Sequence, residues 1–377
     1  MHKFWLKCLK CGRVYSLSSK WIWRCSSCYS PLDTELDLGK VTIPRNYPGI
    51  WKFIDVLPCS EKFITYLGEG STPLVIREFR GVKLLLKLEY LNPTGSFKDR
   101  GSAVTLSKVL ELGIHRICED SSGNAGLSLA AYSSSFSVKC RIYVPRDSPE
   151  SKRHLIELFG AELIECPSRE VAYREATCAE LSGYTYVGHL WNPIYIDGVK
   201  TIAYELALQL RELSITDFPS FVVVPVASGT LLLGLAKGFR ELKQLGLVSS
   251  DPIYVAVQGT DVAPLARYVK TIPCEGSSSL LDALRVPNPP RLSQLVDVIN
   301  KSGGLCILTN NNHVIKALKT LCKWGFVVEP TSASVLAAIE KLIDYRILES
   351  GDVVFAPLTG SGLKVTYLLL KLTTGSC

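Results

Sequence analysis

The most informative stretch of this 377-residue chain reads Leu91-Asn92-Pro93-Thr94-Gly95-Ser96-Phe97-Lys98-Asp99-Arg100-Gly101. Its Asn-Pro and Thr-Gly steps predict a turn between the apolar run 82–88 and a helical pattern over 103–112. Lys98 would then lie near a helix start, where the helix dipole and the free backbone N–H groups disfavour a positive charge. A lysine with a lowered pKa can act as a Schiff-base nucleophile, although a lone lysine is more often simply solvated. The interpretation therefore depends on what accompanies Lys98.

The composition indicates a globular protein with sizeable cores. Hydrophobic residues make up 47% of the chain and charged residues 20%, a balance that argues against disorder. The net charge of +7 is dispersed, which suits anionic small substrates better than dedicated nucleic-acid binding. No apolar run reaches the ~18 residues of a membrane span, and the N-terminal sequence lacks a signal-peptide core. We therefore expect a cytoplasmic protein with no membrane partner.

The first cysteines of the chain are spaced like metal ligands. Cys8 and Cys11 form one C-x-x-C pair, and Cys25 and Cys28 form a second. Two such pairs can close a tetrahedral site of four thiolates, so we predict structural Zn²⁺ that serves only the folding of residues 1–35. Disulfides or a metal-free remnant remain the alternatives. The other cysteines of the 13 are scattered among apolar residues and are expected to be buried thiols.

After residue 35, strand-like and helix-like patterns alternate. The strand-like runs cover 83–88, 114–118, 139–144, 161–165, 221–226, 253–257 and 352–357, and the helical runs cover 127–132, 152–159, 171–181, 199–213 and 333–342. Alternation of this kind predicts α/β domains in which helices cover mainly parallel sheets. Ligand sites in such domains lie at the carboxyl ends of the strands.

Three segments that follow predicted strands carry small and polar residues, at 120–126, 227–231 and 358–362. Small residues let a ligand approach the backbone, and N–H groups at a helix start bind anions. We predict a carboxylate clamp in the first segment and a phosphate site in the second, although ordinary helix capping explains either one taken alone. Together with a lysine that can lose its proton, these are the parts needed to hold pyridoxal phosphate and an amino acid.

In this combination the chain resembles the threonine synthase branch of the fold type II, tryptophan synthase β-like family of pyridoxal-phosphate enzymes. The resemblance runs from about Gly68 to Lys364 and includes the N-terminal zinc ribbon. The motifs that carry it are Gly-Glu-Gly-Ser-Thr-Pro-Leu (68–74), the Lys98 stretch, Ser-Ser-Gly-Asn-Ala-Gly (121–126), Asn192-Pro193 with Asp197-Gly198-Val199-Lys200-Thr201, Glu329-Pro330-Thr331-Ser332-Ala333 and Leu-Thr-Gly-Ser-Gly-Leu-Lys (358–364).

The resemblance implies an α/β architecture of two open twisted-sheet domains preceded by a small zinc ribbon. We expect the ribbon at 1–35, a large cofactor-binding domain formed by 36–105 and 206–377, and a small domain at 106–205. A homodimer is expected, as is usual for this family.

The resemblance also implies roles for individual residues. Lys98 would bind pyridoxal phosphate covalently and act as the catalytic base, Asn124 would hydrogen-bond the cofactor's phenolic oxygen, and Thr359 would face the pyridine nitrogen. A neutral hydroxyl at that nitrogen favours elimination and replacement over transamination. The cofactor phosphate would be surrounded by Ala227, Ser228, Gly229, Thr230 and Leu231. For the substrate, we expect Ser121, Ser122 and Gly123 to bind the carboxylate, and His189 and Lys200 are this chain's own nearest candidates for a substrate phosphate.

The chain departs from the family pattern where the substrate phosphate is expected. Threonine synthases usually carry Asn-Ser shortly before the Asn-Pro and Arg two residues after the proline. This chain has His189 and Leu190 in the first place and Tyr195 in the second. Loss of an arginine removes a bidentate phosphate contact. The loop 227–231 also differs, because it resembles the Gly-Thr-type loops found elsewhere in the superfamily.

Three functions follow as hypotheses. The first is a lyase of threonine biosynthesis that converts O-phosphohomoserine and water to threonine and phosphate. The second keeps the cofactor but acts on other amino acids, as a β-replacement enzyme on O-phosphoserine (cysteate synthase-like) or as a serine/threonine dehydratase. The third makes the ribbon a nucleic-acid module through Lys3, Lys7, Lys10, Arg13, Trp21 and Trp23, a reading that an intact Lys98 disfavours.

Overall fold

The structure is a computed structural model that describes residues 4–18, 20–39, 41–121, 123–146, 148 and 150–374. Strands and helices alternate along most of the described chain. The strands are β1 Phe4–Cys8, β2 Val14–Ser16, β3 Leu32–Leu36, β4 Leu74–Phe79, β5 Val82–Lys87, β6 Arg116–Glu119, β7 Lys139–Pro145, β8 Glu162–Cys166, β9 Thr185–Tyr186, β10 Phe221–Pro225, β11 Ile253–Gly259, β12 Thr271–Ile272, β13 Leu305–Thr309 and β14 Val353–Pro357. The α-helices are α1 Lys98–Glu111, α2 Asn124–Ser135, α3 Glu150–Leu158, α4 Arg169–Cys178, α5 Pro193–Glu212, α6 Thr230–Gln244, α7 Leu292–Lys301, α8 Asn311–Lys323, α9 Pro330–Asp344 and α10 Thr366–Thr374.

The described residues form two compact units. The first unit contains the described residues up to 71 and those of 92–201, and the second contains 72–91 and those from 202 onward. The domains expected from the sequence divide the chain elsewhere, at 35/36, 105/106 and 205/206. Residues 36–71 and 92–105 lie in the first unit because the segment Gly49–Val56 and helix α1 contribute to its apolar core. The expected domain division remains a proposal.

The first unit contains two sheets among its described residues. Strands β2, β1 and β3 form an antiparallel sheet in the ribbon, and strands β8, β7, β6 and β9 form a parallel sheet in that order. Leu6, Leu17 and Leu32 of the ribbon belong to the same buried apolar cluster as Trp51 and Leu106. The ribbon therefore shares a core with the rest of the unit, whereas the sequence suggested a separate module whose zinc serves only its own folding.

The second unit is built on one seven-stranded sheet in the order β12-β13-β11-β10-β14-β5-β4. All its pairings are parallel except β4 with β5, which is antiparallel. Strand β10 is buried along its whole length, as expected for a central strand covered by helices on both faces. Because β10 and β14 are parallel neighbours, the loops that follow them leave the same edge of the sheet.

The predicted fold class is confirmed, and most predicted elements exist with shifted ends. The helical run 127–132 is the middle of α2, and the run 199–213 is the second part of α5. The described part of the chain contains no helix long and apolar enough to cross a membrane. Lys3, one of the basic residues named for the nucleic-acid hypothesis, lies outside the described residues.

Candidate active site and metal centre

Lys98 is the first residue of helix α1, and a polar turn sets this helix start. The carboxylate of Asp99 accepts hydrogen bonds from the backbone N–H of Thr94 at 2.7 Å and from its hydroxyl at 2.6 Å. Gly95 adopts a φ of 76°, a left-handed conformation that side chains disfavour, and its N–H donates to the carbonyl oxygen of Asn92 at 2.8 Å. The turn signals in the sequence therefore fix where the helix, and with it the lysine, begins.

The amine of Lys98 lies among aromatic rings. Its Nζ is 4.8 Å from the ring centre of Phe97 and 5.6 Å from that of Tyr195. Desolvation lowers the pKa of Lys98 from 10.5 to about 8, although the nearby Glu119 opposes this shift. Among the described residues no hydrogen-bond or ion-pair partner holds Nζ, so the amine is placed to react with a ligand.

Tyr195 holds the backbone on which this amine is carried. Its hydroxyl donates a hydrogen bond of 2.9 Å to the carbonyl oxygen of Lys98. A Cβ on Gly101 would lie 2.4 Å from the Tyr195 ring, so only glycine leaves room for the ring beside α1. Tyr195, which stands where relatives of the expected family carry arginine, therefore positions Lys98.

Gly123 leads the chain into helix α2. Gly123 caps the helix and Asn124 is its first residue. A Cβ on Gly126 would lie 1.9 Å from the carbonyl oxygen of Ser121, whereas a Cβ on Gly123 would meet no atom within 4 Å. The backbone at Gly123 therefore borders open space in front of the helix start. Ser122, predicted as a substrate residue, lies outside the described residues.

His189 is buried against Glu119. Its ring Nδ1 and its backbone N–H both contact Oε1 of Glu119, the second at 3.3 Å. The two side chains are 10% and 2% exposed. Glu119 ends strand β6, and His189 follows strand β9, the parallel neighbour of β6, so both leave the same edge of the sheet. The sequence singled out His189 but missed Glu119.

Lys200 is completely buried, and its partner belongs to the protein itself. Its Nζ lies 3.1 Å from a carboxylate oxygen of Asp197, and both side chains are 0% exposed. The other carboxylate oxygen of Asp197 accepts a hydrogen bond from the hydroxyl of Thr34 in the ribbon. This arrangement argues against a direct contact of Lys200 with a substrate phosphate.

In the second unit, the loop 227–231 joins strand β10 to helix α6. Gly229 caps the helix with a φ of 85°, and a Cβ there would lie 2.3 Å from the Leu295 side chain. Thr230 and Leu231 open the helix, and Ser228 and Thr230 place their hydroxyl oxygens 3.4 Å apart. Free N–H groups at the start of a 15-residue helix form an anion-binding end, which fits a phosphate.

Thr359 follows strand β14 at the same edge of the sheet. Its hydroxyl lies 2.9 Å from that of Ser332, which also accepts the backbone N–H of Gly360 at 2.8 Å. Both hydroxyl-bearing residues are buried. Ser332, which the sequence placed in a motif without a role, therefore orients Thr359.

The four ribbon cysteines form a metal-sized cluster. Their sulfur atoms all lie within 4.8 Å of one another, with 3.4 Å between Cys8 and Cys28 and 3.5 Å between Cys11 and Cys25. Burial alone would raise the pKa of Cys25, but hydrogen bonds from the Tyr15 hydroxyl and from backbone N–H groups lower it to about 5. Thiolates are the metal-binding form, so the cluster could hold a metal ion.

Comparison with known proteins agrees with this chemistry. The family model described as pyridoxal-phosphate dependent enzyme matches residues 65–360. A threonine synthase from Methanosarcina acetivorans is 31% identical over 95% of this chain and 92% of that protein, and one from Methanocaldococcus jannaschii is 30% identical with the same coverage. A threonine synthase from Mycobacterium tuberculosis is 30% identical over 86% of this chain and 91% of that protein.

Solved structures share the fold. O-ureido-L-serine synthase matches with a TM-score of 0.68 at 21% identity, covering 81% of this chain and 93% of that chain. Cysteine synthase from Entamoeba histolytica matches with a TM-score of 0.65 at 20% identity, covering 90% and 94%.

The first unit carries a lysine with a lowered pKa at a helix start, and the second unit offers N–H groups at the start of α6; each feature is typical of enzymes that hold a phosphorylated aldehyde. The chain belongs to the family of pyridoxal-phosphate-dependent enzymes. The resemblance to threonine synthases seen in the sequence is confirmed by the curated relatives, and with it the prediction of a pyridoxal-phosphate-dependent lyase.

The residues present fit this cofactor. The amine of Lys98 has a lowered pKa and no hydrogen-bond or ion-pair partner among the described residues, as a covalent attachment point requires. The backbone beside Gly123 borders open space, and the start of α6 offers N–H groups to a phosphate.

Proposed function

We propose that this protein is a threonine synthase that converts O-phosphohomoserine and water to threonine and phosphate. The observation that carries the proposal is the weakly basic Lys98 at the start of α1, in a chain that aligns over 95% of its length with threonine synthases. The same function places the protein in threonine biosynthesis. An amino-acid substrate is consistent with the family.

Bound pyridoxal phosphate supplies an electron-withdrawing ring that lets protons leave substrate carbons next to the amino group. Lys98 would hold this group. When its amine is free, its pKa of about 8 lets it take a proton from the α-carbon and the β-carbon and return it at neutral pH. Tyr195 keeps the start of α1 in place through the Lys98 carbonyl oxygen.

We assign the remaining cofactor contacts to residues that carry suitable groups. Asn124 offers a side-chain amide to the phenolic oxygen, and Ala227, Ser228, Gly229, Thr230 and Leu231 surround the phosphate at the start of α6. Thr359, oriented by Ser332, offers a hydroxyl to the pyridine nitrogen. Because that partner is neutral, the pyridine nitrogen is not held protonated, which favours elimination over transamination.

We assign the substrate carboxylate to Ser121, Ser122 and Gly123 and to the N–H groups at the start of α2, which Gly123 caps. His189 lies at the carboxyl ends of β6 and β9, and we propose that it contacts the substrate. Lys200 supports the same region from inside, through its ion pair with Asp197, rather than by contacting the substrate.

We also propose that Cys8, Cys11, Cys25 and Cys28 bind one structural Zn²⁺. Zinc–sulfur bonds of about 2.3 Å in a tetrahedron require sulfur atoms slightly under 4 Å apart, a spacing this cluster approaches. We also propose a homodimer, because enzymes of this family usually dimerise. The cytoplasmic location stays a prediction.

The test is a substrate screen of purified, cofactor-loaded protein. O-phosphohomoserine, O-phosphoserine, serine and threonine are offered separately, and phosphate, threonine and 2-oxo acids are measured. We expect stoichiometric threonine and phosphate from O-phosphohomoserine. A 2-oxo acid from serine or threonine, without threonine formation, would instead identify a dehydratase, and phosphate release from O-phosphoserine alone would identify a β-replacement enzyme.

A further inference from the structure

The pair formed by His189 and Glu119 is buried next to the reactive lysine, and the proposed function gives it no task beyond contacting the substrate. A buried acid beside a buried histidine is costly unless each satisfies the other, and here one carboxylate oxygen faces both Nδ1 and the backbone N–H of the histidine. The backbone contact fixes the carboxylate where it meets Nδ1. The imidazole is thus held in one orientation.

This orientation determines which ring nitrogen is basic. A carboxylate facing Nδ1 keeps the proton on that nitrogen, so Nε2 retains its lone pair. Among the described residues no group hydrogen-bonds to Nε2. Burial and the charge of Lys98 lower the pKa of His189, while Glu119 opposes them, so the ring is mainly neutral at pH 7.

The imidazole of His189 and the amine of Lys98 both lie near the ring of Tyr195. The imidazole centre is 5.7 Å from the ring centre of Tyr195, and Nζ of Lys98 is 5.6 Å from the same centre. The groups that act electrostatically on His189 are Lys98 from α1 and Glu119 from β6, and Asp120 in the following loop interacts in turn with Glu119. A basic nitrogen therefore lies near the amine that handles the substrate's carbon-bound protons.

The pair of His189 and Glu119 is poorly suited to bind the substrate phosphate. A neutral imidazole with a carboxylate behind it carries no net positive charge for a doubly charged phosphate. A carboxylate-oriented imidazole with one basic nitrogen is instead the arrangement that removes a proton from a hydroxyl or from water.

Resting on the proposed threonine synthase function, we propose that Nε2 of His189 is the base that activates the water consumed by the reaction, with Glu119 as its positioning residue. In this proposal, the group that adds to the substrate at this site is a water molecule. His189 is a catalytic residue in this role, and Glu119 acts through it.

Atoms and electrons balance in this step. A lone pair of the water oxygen forms the bond to the β-carbon, and one O–H bond of the water breaks with its electron pair left on oxygen. The released proton goes to Nε2. The substrate has a double bond between its α- and β-carbons after it has lost phosphate; the electron pair of that bond moves to the α-carbon and forms the bond to a proton that Lys98 returns. Nε2 then gives its proton to solvent. The departing phosphate takes up one proton from solvent to become hydrogen phosphate, so protons balance over the whole turnover.

The decisive variant is His189→Asn, because its amide can still donate to Glu119 but offers no basic nitrogen at the position of Nε2. With O-phosphohomoserine we expect threonine formation to fall about 10²- to 10⁴-fold. Phosphate release should fall less, and the difference should appear as 2-oxobutanoate, because the substrate that lost phosphate is no longer captured by water. Glu119→Gln should shift the same ratio in the same direction, with threonine formation lowered about tenfold or more.

The first unit offers a matched control pair on its surface. His154 and Glu150 lie 3.8 Å apart with side chains 67% and 75% exposed. His154→Asn and Glu150→Gln should leave both the rates and the ratio of threonine to 2-oxobutanoate unchanged. If phosphate release and threonine formation fall by the same factor in His189→Asn, or do not fall, His189 does not activate water.

A second measurement uses only the wild-type protein and needs no substrate. The chain has five histidines, so ¹⁵N-histidine labelling of the wild-type protein resolves few imidazoles. We expect one buried imidazole with its proton on Nδ1 that is less protonated at pH 6.5 than a solvated histidine, which is about half protonated there. A buried imidazole protonated on Nε2, or charged at pH 7.5, would overturn the inference.

The two proposals fail in different ways. If the wild-type protein forms no threonine from O-phosphohomoserine, the proposed function fails and the water-activating role of His189 fails with it. If the wild-type protein forms threonine and His189→Asn keeps the wild-type product ratio and rate, the role of His189 alone fails.

Discussion

The hydroxyl of Tyr195 in α5 donates a hydrogen bond of 2.9 Å to the carbonyl oxygen of Lys98, the first residue of α1. The first carbonyl groups of a helix normally bond within the helix, so this contact adds a tie from a second helix at the point where the amine is carried. The tie is possible only because Gly101, one turn along α1, has no side chain to meet the Tyr195 ring. The two residues thereby fix the reactive amine relative to α5.

Gly101→Ala tests this packing. Its new methyl group would lie 2.4 Å from the Tyr195 ring, so we expect a loss of about 1–3 kcal/mol in the free energy of unfolding. In a Tyr195→Ser background the ring is gone, and the same substitution should cost much less. Urea unfolding of the two single variants and the double variant measures this coupling; additive costs would show that the ring and the methyl group do not meet.

Lys98 should titrate well below an ordinary lysine. Burial lowers its pKa to about 8, and the Glu119 carboxylate holds it above the value that burial alone would give. In cofactor-free protein, the rate at which an amine-selective reagent labels Lys98 should therefore rise through a midpoint near pH 8, as the neutral amine forms. In Glu119→Gln the midpoint should move to lower pH. Peptide mass spectrometry at each pH gives the midpoint, and an ordinary value above pH 10 in the wild-type protein would contradict the burial argument.

Lys98 should also be the attachment point of the cofactor. Protein loaded with pyridoxal phosphate should be yellow, and borohydride should fix the cofactor onto this one lysine. Lys98→Ala should bind the cofactor without any fixed label on reduction. Lys87, which is buried in the second unit in an ion pair with Glu205, is the control lysine and should stay unlabelled.

The bound metal should stabilise the whole first unit and not only the ribbon. Leu6, Leu17 and Leu32 share a core with Trp51 and Leu106, and Trp21 donates a 2.8 Å hydrogen bond to the carbonyl oxygen of Tyr186. We therefore expect one zinc per chain, and we expect its removal by a chelator to lower the melting temperature of the whole first unit. Cys11→Ser should do the same, whereas Cys322→Ser, an exposed cysteine in the second unit, should not. Zinc analysis and calorimetry report both effects; a metal-free protein made in zinc-replete, reducing conditions would refute the assignment.

Local signals in the sequence were sufficient to predict that Lys98 lies near a helix start and that the four ribbon cysteines come together. Turn residues and helix patterning lie within a few positions of Lys98, and the C-x-x-C spacing is itself the geometry of a metal site. The contacts of Lys98 and His189 were beyond the sequence, because Tyr195 is 97 positions from Lys98 and Glu119 is 70 positions from His189. Such pairs depend on which strands and helices become neighbours.

The missed elements have physical reasons as well. Strand β4 lies at the edge of its sheet and is largely exposed, so it lacks the apolar run that marked the central strands. Strand β13 is a short buried run of five residues between two helices, where length alone does not separate strand from helix. Glu119 could have been noticed as an acidic residue that ends an apolar strand directly before the turn at 120–126, a position where ligand sites form.

Lys200 provides the last test, because its burial changes what its loss should do. The sequence suggested a contact with the substrate phosphate, whereas the structure pairs its ammonium with Asp197 at full burial. Lys200→Ala would remove the buried ammonium that lies 3.1 Å from the Asp197 carboxylate, and we expect a loss of about 3–5 kcal/mol in the free energy of unfolding. Replacing both residues by apolar ones, in Asp197→Leu with Lys200→Met, should cost less than Lys200→Ala alone, since both charges of this ion pair are then removed together. Chemical unfolding ranks the variants. In folded Lys200→Ala protein, turnover of phosphorylated and unphosphorylated amino acids should fall by similar factors, and a selective loss on the phosphorylated substrate would return Lys200 to the phosphate site.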